Sequence, residues 1–467
     1  MSALQRSVGS VFRPIALVAL AATAVVTVSL GTAATAAQGT RTTVPDAETL
    51  LPLKVLGGPV AASGRLLAIT VTASHGLQLT AVNPSTSKVT WQHAYSASYM
   101  TLGQAFEPVA IGGVAIDLAP TGAPTNPTVE VKGIDLSTGD VAWTWNVKGT
   151  VSDAPVACVG EKDFCFSWAP SSAASHYGEG LVELSASSGS VLRVVRGSER
   201  ELGANLYQTT AATATLIQIG TGGTLAWRKA ASSIFGSSAD NPNGGWNVDE
   251  LGSVGIGSLG LASNSTTVDT STYSTTGFLA SSGRRLWRDQ GTYNCVGSLE
   301  FLRPPVICRM SGSFKEATKP DSIPSFAHVK LTIEGFNQHT GAITWSRRVA
   351  NVQAIFSGTR LAFVDDKHIE IETTSGAYEV LDTASGSMHA NSPGEVFWCE
   401  SLPILDVTAP AGSAANIRVG TYQYFGCSAK GSKVAGLPRT QPSAVGVRLA
   451  GRFFWSTSKG IEGIPTS

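Results

Sequence analysis

VEVKGIDLSTGDVAWTW, residues 129–145, reads as strand, tight turn, strand. Val129, Val131 and Ile134 supply strand-forming side chains, with Lys132 facing the other way. Asp135 can accept hydrogen bonds from the turn amides, and Gly139 can take the positive φ that the reversal needs. Val141, Trp143 and Trp145 then alternate on one face of the return strand. The stretch predicts a β-hairpin, and its repetition decides the fold class.

Relatives of this hairpin follow in order: LTAVNPSTSKVTW (79–91), LVELSASSGSVLR (181–193), LIQIGTGGTLAW (216–227), TGFLASSGRRLW (276–287), IEGFNQHTGAITW (333–345) and YEVLDTASGSMHA (378–390). Ser87 holds the glycine slot at 79–91, Arg193 holds the tryptophan slot at 181–193, and the copy at 378–390 has no tryptophan. Trp91, Trp143, Trp227, Trp287 and Trp345 each follow the glycine slot by four residues. Chance does not place five of 10 tryptophans so regularly. Apolar runs upstream, among them GPVAASGRLLAI (58–69), EPVAIGGVAIDL (107–118), APVACVGEKDFCFSW (154–168) and VQAIFSGTRLAFV (352–364), add a second strand pair to each hairpin.

Unit starts recur about every 48 residues, the spacing of four-stranded propeller blades. The expected fold is all-β, a β-propeller of four-stranded antiparallel blades over residues 55–460. Eight blades are expected, with seven as the alternative because the units at 202–230 and 395–440 are degenerate. AVGVRLAGRFFWS (444–456) reads as a returning strand pair that closes the ring on the first blade and removes an exposed sheet edge. The five hairpin tryptophans read as wedges between neighbouring blades, each burial contributing on the order of 2–3 kcal/mol. The longest stretch outside the repeat, 231–272, contains SSADNPNGGWNVDELG and reads as an insertion on one ring face. Trp246 lies there, outside the hairpin frame, and is the candidate partner contact.

Bulk composition excludes other classes. Lys+Arg and Asp+Glu are both 33, so formal net charge is zero and no global field draws in nucleic acid or an acidic membrane surface. Charged residues are only 14% and glycines number 50, the composition of short strands joined by small-residue turns. Residues 1–37 read as a targeting segment: Arg6 and Arg13 give a basic flank, Ile15–Leu30 is uncharged and apolar, and Ala34-Thr35-Ala36 fits a cleavage site. Cleavage is the first expectation and an uncleaved membrane anchor the alternative, and both export the body. No cysteine near the site invites lipid attachment. Residues 38–54 read as a linker.

Six cysteines fall in three close pairs, Cys158 and Cys165, Cys295 and Cys308, Cys399 and Cys427. An even count in an exported chain favours disulfides, and the blade boundaries favour one bond within each unit. No CxxC occurs and the seven histidines have no metal-ligand spacing. Gly255-Ile-Gly257-Ser-Leu-Gly260 formally matches GxGxxG but opens no helix, and Asp365-Asp366-Lys367 reads as a turn between strands. No GxSxG, HExxH or Walker A motif occurs, so no catalytic, cofactor-binding or metal residue is nominated.

The units G-x-V-x-x-x-D-x-x-(S/T)-G-x-x-x-W, clearest at Ile134–Trp145 and Phe336–Trp345, resemble the pyrroloquinoline-quinone-like (PQQ-like) β-propeller repeat. That repeat occurs in quinoprotein alcohol dehydrogenases and in a bacterial outer-membrane assembly lipoprotein. The enzyme branch implies a quinone on a tryptophan floor, covered by two adjacent cysteines, with calcium held by acidic and amide side chains. No two cysteines are adjacent here, and no calcium ligand matches by motif. The expectation is therefore the exported, non-catalytic branch: a monomeric extracytoplasmic module, without PQQ or calcium, that binds a protein or cell-envelope partner and meets a membrane only through its N-terminal segment. The alternatives are a quinone-dependent dehydrogenase or carbohydrate-active propeller enzyme, and an extracytoplasmic sensor of a membrane-anchored protein.

Overall fold

The fold was analysed in a computed structural model. It describes residues 48–466 apart from 97–106, 122–126, 152–154, 159–161, 170–179, 196–198, 204–205, 210–214, 220–224, 237–244, 261–266, 295–303, 316–324, 351–361, 393, 402, 409–416 and 444. The targeting segment lies outside the described residues.

Four-stranded antiparallel sheets follow one another along the chain. The first is Lys54–Ala62, Arg65–Val71, Leu77–Asn83 and Lys88–Tyr95, each strand pairing with the next. The second is Ala110–Ile111, Val114–Thr121, Thr128–Asp135 and Val141–Lys148. The third to sixth end on the hairpin strands Val191–Val195, Leu225–Ala230, Arg285–Gln290 and Ile343–Val349; the third and sixth each carry a fifth strand, Val156–Ala157 and Thr292–Asn294, and the outer strand of the sixth, Thr267–Asp269, lies between strands of the fifth in sequence. The seventh is Ala362–Asp365, His368–Glu372, Tyr378–Asp382 and Met388–Ala390. The eighth contains Gly446–Leu449, Arg452–Thr457 and Gly460–Pro465.

The opening stretch folds as its residues dictate. Asp135 Oδ1 accepts from the backbone of Ser137 at 2.7 Å and Thr138 at 3.3 Å. Gly139, at φ 83°, donates to Asp135 O at 2.8 Å. Asn83, Asn337 and Asp382 cap their turns in the same way. In six hairpins the register shifts just before the turn, at Ala81/Val82, Gly133/Ile134, Glu183/Leu184, Gln218/Ile219, Gly277/Phe278 and Gly335/Phe336. In four of them the bulge sets the tryptophan of the return strand opposite a small residue, Ala81, Gly133, Gly277 or Gly335.

Five hairpin tryptophans, on the first, second, fourth, fifth and sixth sheets, each join their sheet to its successor. Trp91 Nε1 donates to Leu136 O at 3.0 Å and Trp143 Nε1 to Ala186 O at 2.9 Å. Trp227 reaches Ala280 O at 2.7 Å, Trp287 reaches Gln338 O at 2.7 Å, and Trp345 reaches Thr383 O at 3.2 Å. Each ring covers the turn glycine of the following sheet: Gly139, Gly189, Gly283, Gly341 and Gly386. The wedge expected from spacing is thus a wedge with a polar handle, because a buried indole N–H needs an acceptor. In the third sheet Glu183 stands opposite Arg193 in register, where the first, second, fifth and sixth sheets pair alanine or glycine with tryptophan and the fourth pairs Gln218 with Trp227.

Three expectations are corrected. The strands at 446–457 do not add to the first sheet. They belong to a sheet of their own, which takes in Gly460–Pro465 and is completed by Glu48–Leu51 from the other end of the chain. Part of the stretch read as linker is therefore a strand. The reason is apolar: Leu50, Leu51, Phe454 and Ile461 bury one another against Val55 and Leu66 of the first sheet. The stretch 231–272 is not one inserted loop, since Gly245–Leu251 and Val254–Gly260 are the first two strands of the fifth sheet. The degenerate unit at 395–440 is not a four-stranded sheet of its own: Phe397–Ser401 and Gln423–Cys427 extend the seventh sheet, and Ile404–Val407 and Ile417–Gly420 form a separate two-stranded sheet.

Candidate functional site

Phe397–Ser401 pairs with Ala362–Asp365 on the edge opposite the hairpin strand, and Gln423–Cys427 pairs with Phe397–Ser401 in turn. Phe397, Trp398 and Cys399 are all buried, so both faces of this strand are covered by protein. A Cys399–Cys427 disulfide crosses the added pair. Trp398 packs edge-on against Trp455 at 5.4 Å and donates to Thr440 O at 2.9 Å, tying the pair to the eighth sheet. The hairpin Ile404–Val407/Ile417–Gly420 lies between the added strands in sequence and packs Val407 and Val419 into the core of the first three sheets. Thr408 donates its N–H to His75 O at 2.8 Å and its hydroxyl to Ser74 O at 3.2 Å. Thr421 Oγ1 accepts from Gly57 N at 3.0 Å and donates to Val55 O at 3.2 Å. One segment thus touches the seventh, eighth and first sheets.

Titratable groups converge beside it. Tyr424 OH donates to Glu400 Oε2 at 3.4 Å across the added strand pair. Burial pushes the Glu400 carboxyl up to about 7, and the tyrosine bond offsets this only in part. Burial and the charges of Glu400, Tyr422 and Glu107 push the Tyr424 phenol well above its ordinary value. Glu107, on the entry to the second sheet, has an exposed side chain, and the partial desolvation that raises its carboxyl is opposed by a lowering bond from the Gly58 backbone. Of the two carboxyls, Glu400 is the better enclosed. A carboxyl that titrates near neutrality can either donate or accept a hydrogen bond at physiological pH.

A second polar cluster joins the fifth and sixth sheets. Arg309 Nε sits 3.0 Å from both oxygens of Glu334, while its terminal nitrogens fork onto Asp289. The Asp289 and Glu334 carboxylates hold the guanidinium firmly charged. Every donor of the fork is turned toward protein acceptors, which marks this cluster as inter-sheet structure.

The nominated residues are placed as follows. Bonds form between Cys158 and Cys165 and between Cys399 and Cys427, and Cys308 is also disulfide-bonded, while Cys295 lies outside the described residues. Trp246 is in the strand Gly245–Leu251, opposite Leu259 in register, and not in a loop. Gly255–Gly260 is strand, with Gly255 beneath the Phe278 ring. Asp365 caps the turn to His368, as its position suggested. Sequence reading passed over Glu107, Glu400 and Tyr424. No motif spacing marks them, because they are 293 and 24 residues apart along the chain. Among the described residues no group of His, Cys, Asp and Glu is arranged to hold a metal ion, and no helix is long and apolar enough to cross a membrane.

The sheet order, the shared hairpins and the tryptophans linking sheet to sheet define a β-propeller. No protein-family model and no curated protein matches the chain. Solved structures similar to it include BamB from Moraxella catarrhalis, at 10% identity over 88% of this chain and 99% of that one, with a TM-score of 0.37. A europium-containing methanol dehydrogenase matches at 12% identity over 91% and 78% of the two chains, with a TM-score of 0.31. An uncharacterized protein of Listeria monocytogenes matches at 9% identity over 77% and 98%, with a TM-score of 0.35. At these scores nothing about what this chain binds rests on the likeness.

Proposed function

We propose that this chain is an exported, non-catalytic, eight-bladed propeller of the PQQ-like repeat type that binds a protein of the cell envelope. One observation carries the reading. Val89, Val141, Val191, Leu225 and Ile343 each stand two residues before the tryptophan slot, on the strand that ends its sheet. All are exposed, from 38% for Ile343 to 56% for Leu225. Edge strands normally carry charge to discourage pairing, so a repeated exposed apolar position on such strands suits contact with another chain. Disulfides in the body fit an oxidising compartment.

A photo-crosslinking residue placed at Val141 or Ile343 in envelope-bearing cells tests this. A discrete adduct is expected at these positions and not at Lys132; a free, unadducted protein would count against the reading. The reading needs neither quinone nor calcium, and appearance of a bound-quinone absorbance on adding both would contradict it. A second reading, a carbohydrate-active enzyme, draws on the nearness of Glu107 and Glu400 to Tyr424. It requires hydrolysis of aryl glycosides that Glu400→Gln abolishes.

A further inference from the structure

The segment Phe397–Cys427 holds together parts of the fold that are far apart in sequence. Its added strand Phe397–Ser401 pairs with the first strand of the seventh sheet, and Gln423–Cys427 pairs with Phe397–Ser401 in turn. Trp398 stacks on the eighth sheet through Trp455 and Phe453. Its hairpin is tied to the first sheet at His75, Ser74, Val55 and Gly57. His75 Nδ1 adds a bond to Asp406 O at 3.0 Å. These contacts run alongside the backbone ladder between Glu48–Leu51 and Gly460–Pro465, so the two ends of the sheet series are joined twice by independent means.

We propose that Phe397–Cys427 is a thiol-sensitive clasp, held in register by the Cys399–Cys427 bond and opened when an external dithiol reduces it. Three features support this. The bond closes a loop with a sequence separation of 28, the longer of the two described, so its loss frees the most chain. Among the described residues, the hairpin reaches the first sheet through a few side-chain and turn hydrogen bonds and two buried valines, with no strand ladder to that sheet. Between the added strands lies the Glu400–Tyr424 pair, whose carboxyl gains hydration when the strands part. The fold has a second junction at Glu48–Leu51, so opening the clasp need not unfold the molecule.

The chemistry is thiol–disulfide exchange. Cys399 and Cys427 are both buried, so exchange waits on a transient parting of the two strands; one thiolate of the dithiol then attacks a sulfur of the bond and expels the other cysteine as thiolate. The second thiol of the reagent then closes the reagent's own disulfide, leaving Cys399 and Cys427 as thiols and the dithiol oxidised.

Hydrogen–deuterium exchange on the full chain tests the clasp. Dithiothreitol-reduced protein and the Cys399→Ala/Cys427→Ala variant should each exchange at least tenfold faster over 397–407 and 417–427. The hairpin 129–145 should keep its protection, and Cys158→Ala/Cys165→Ala should leave the strands 397–401 and 423–427 protected. Unchanged protection of those two strands in the variant, or loss of protection everywhere at once, overturns the proposal. Should the variant fail to fold, stepwise reduction of the native protein decides. Cys399 and Cys427 must become alkylatable while the tryptophan fluorescence stays native, and alkylation only after global unfolding overturns the clasp.

Discussion

At Gly139 two demands meet. The turn needs φ 83°, and a Cβ built there would lie 2.7 Å from the Trp91 ring. Gly64, at φ 71°, makes the first demand without the second, since nothing lies within 4 Å of its Cβ position. Gly139→Ala is therefore expected to cost about 2–4 kcal/mol and Gly64→Ala only about 1 kcal/mol, as read by urea unfolding. Equal costs would remove the tryptophan contact from the account. Ser87 occupies the same slot at φ 57°, a conformation that favours glycine. Ser87→Gly should stabilise the protein by roughly 0.5–1 kcal/mol, and a loss of stability would show that the serine has a role its backbone does not reveal.

Between elements, two junctions make contrasting predictions. Arg309 bridges Asp289 of the fifth sheet and Glu334 of the sixth, and Glu334 is nearly buried. Arg309→Ala leaves that carboxylate uncompensated, and a loss of about 1–3 kcal/mol is expected, discounted for the arginine's own partial exposure. Arg309→Lys should recover only part of it, because an ammonium cannot fork. The added strand pair titrates instead. The Glu400 carboxyl is raised from 4.5 to about 7 in the folded state, chiefly by burial. Its contribution to stability is complete below about pH 4.5, declines as pH rises to about 7, and is constant above that. Glu400→Gln should flatten this slope in unfolding free energies compared at pH 5 and pH 8. An unchanged slope would place the titration elsewhere, with Glu107 the next carboxyl to test. Asp135, Asp269 and Asp382 are lowered by turn hydrogen bonds, so their contributions are lost in the opposite direction, as pH falls through the acid range.

Over the whole molecule, the sheets form a linear series whose ends must be joined. The N-terminal strand does so through Leu50 and Leu51 against Phe454 and Ile461. Leu50→Ala/Leu51→Ala should lower the melting temperature and expose the edge of Gly460–Pro465, and aggregation on heating should appear earlier than in the parent. A melting curve indistinguishable from the parent's would mean that the clasp alone holds the ends together.

The periodic part of this fold was legible in the sequence because it is local. Asp135, Gly139 and Trp143 lie within nine residues, and a turn cap, a positive φ and a bulge act over that distance. The five tryptophans showed their common task through spacing alone. The segment 395–440 was legible only as an imperfect repeat, and the N-terminal strand not at all. Each is defined by a partner hundreds of residues away, such as Glu48 facing Gly463 or Thr421 against Gly57. The Glu400–Tyr424–Glu107 meeting escaped for the same reason.

The amino-acid order by itself determined the hairpin unit, its recurrence and the inter-sheet aromatic, since propensity, turn chemistry and period are properties of short stretches. Only the tertiary structure decided which strands complete the last sheet, where the irregular segment lies and which carboxyl it encloses. Those outcomes depend on which apolar surfaces remain uncovered once the repeats have packed, and that remainder is a property of the assembled whole.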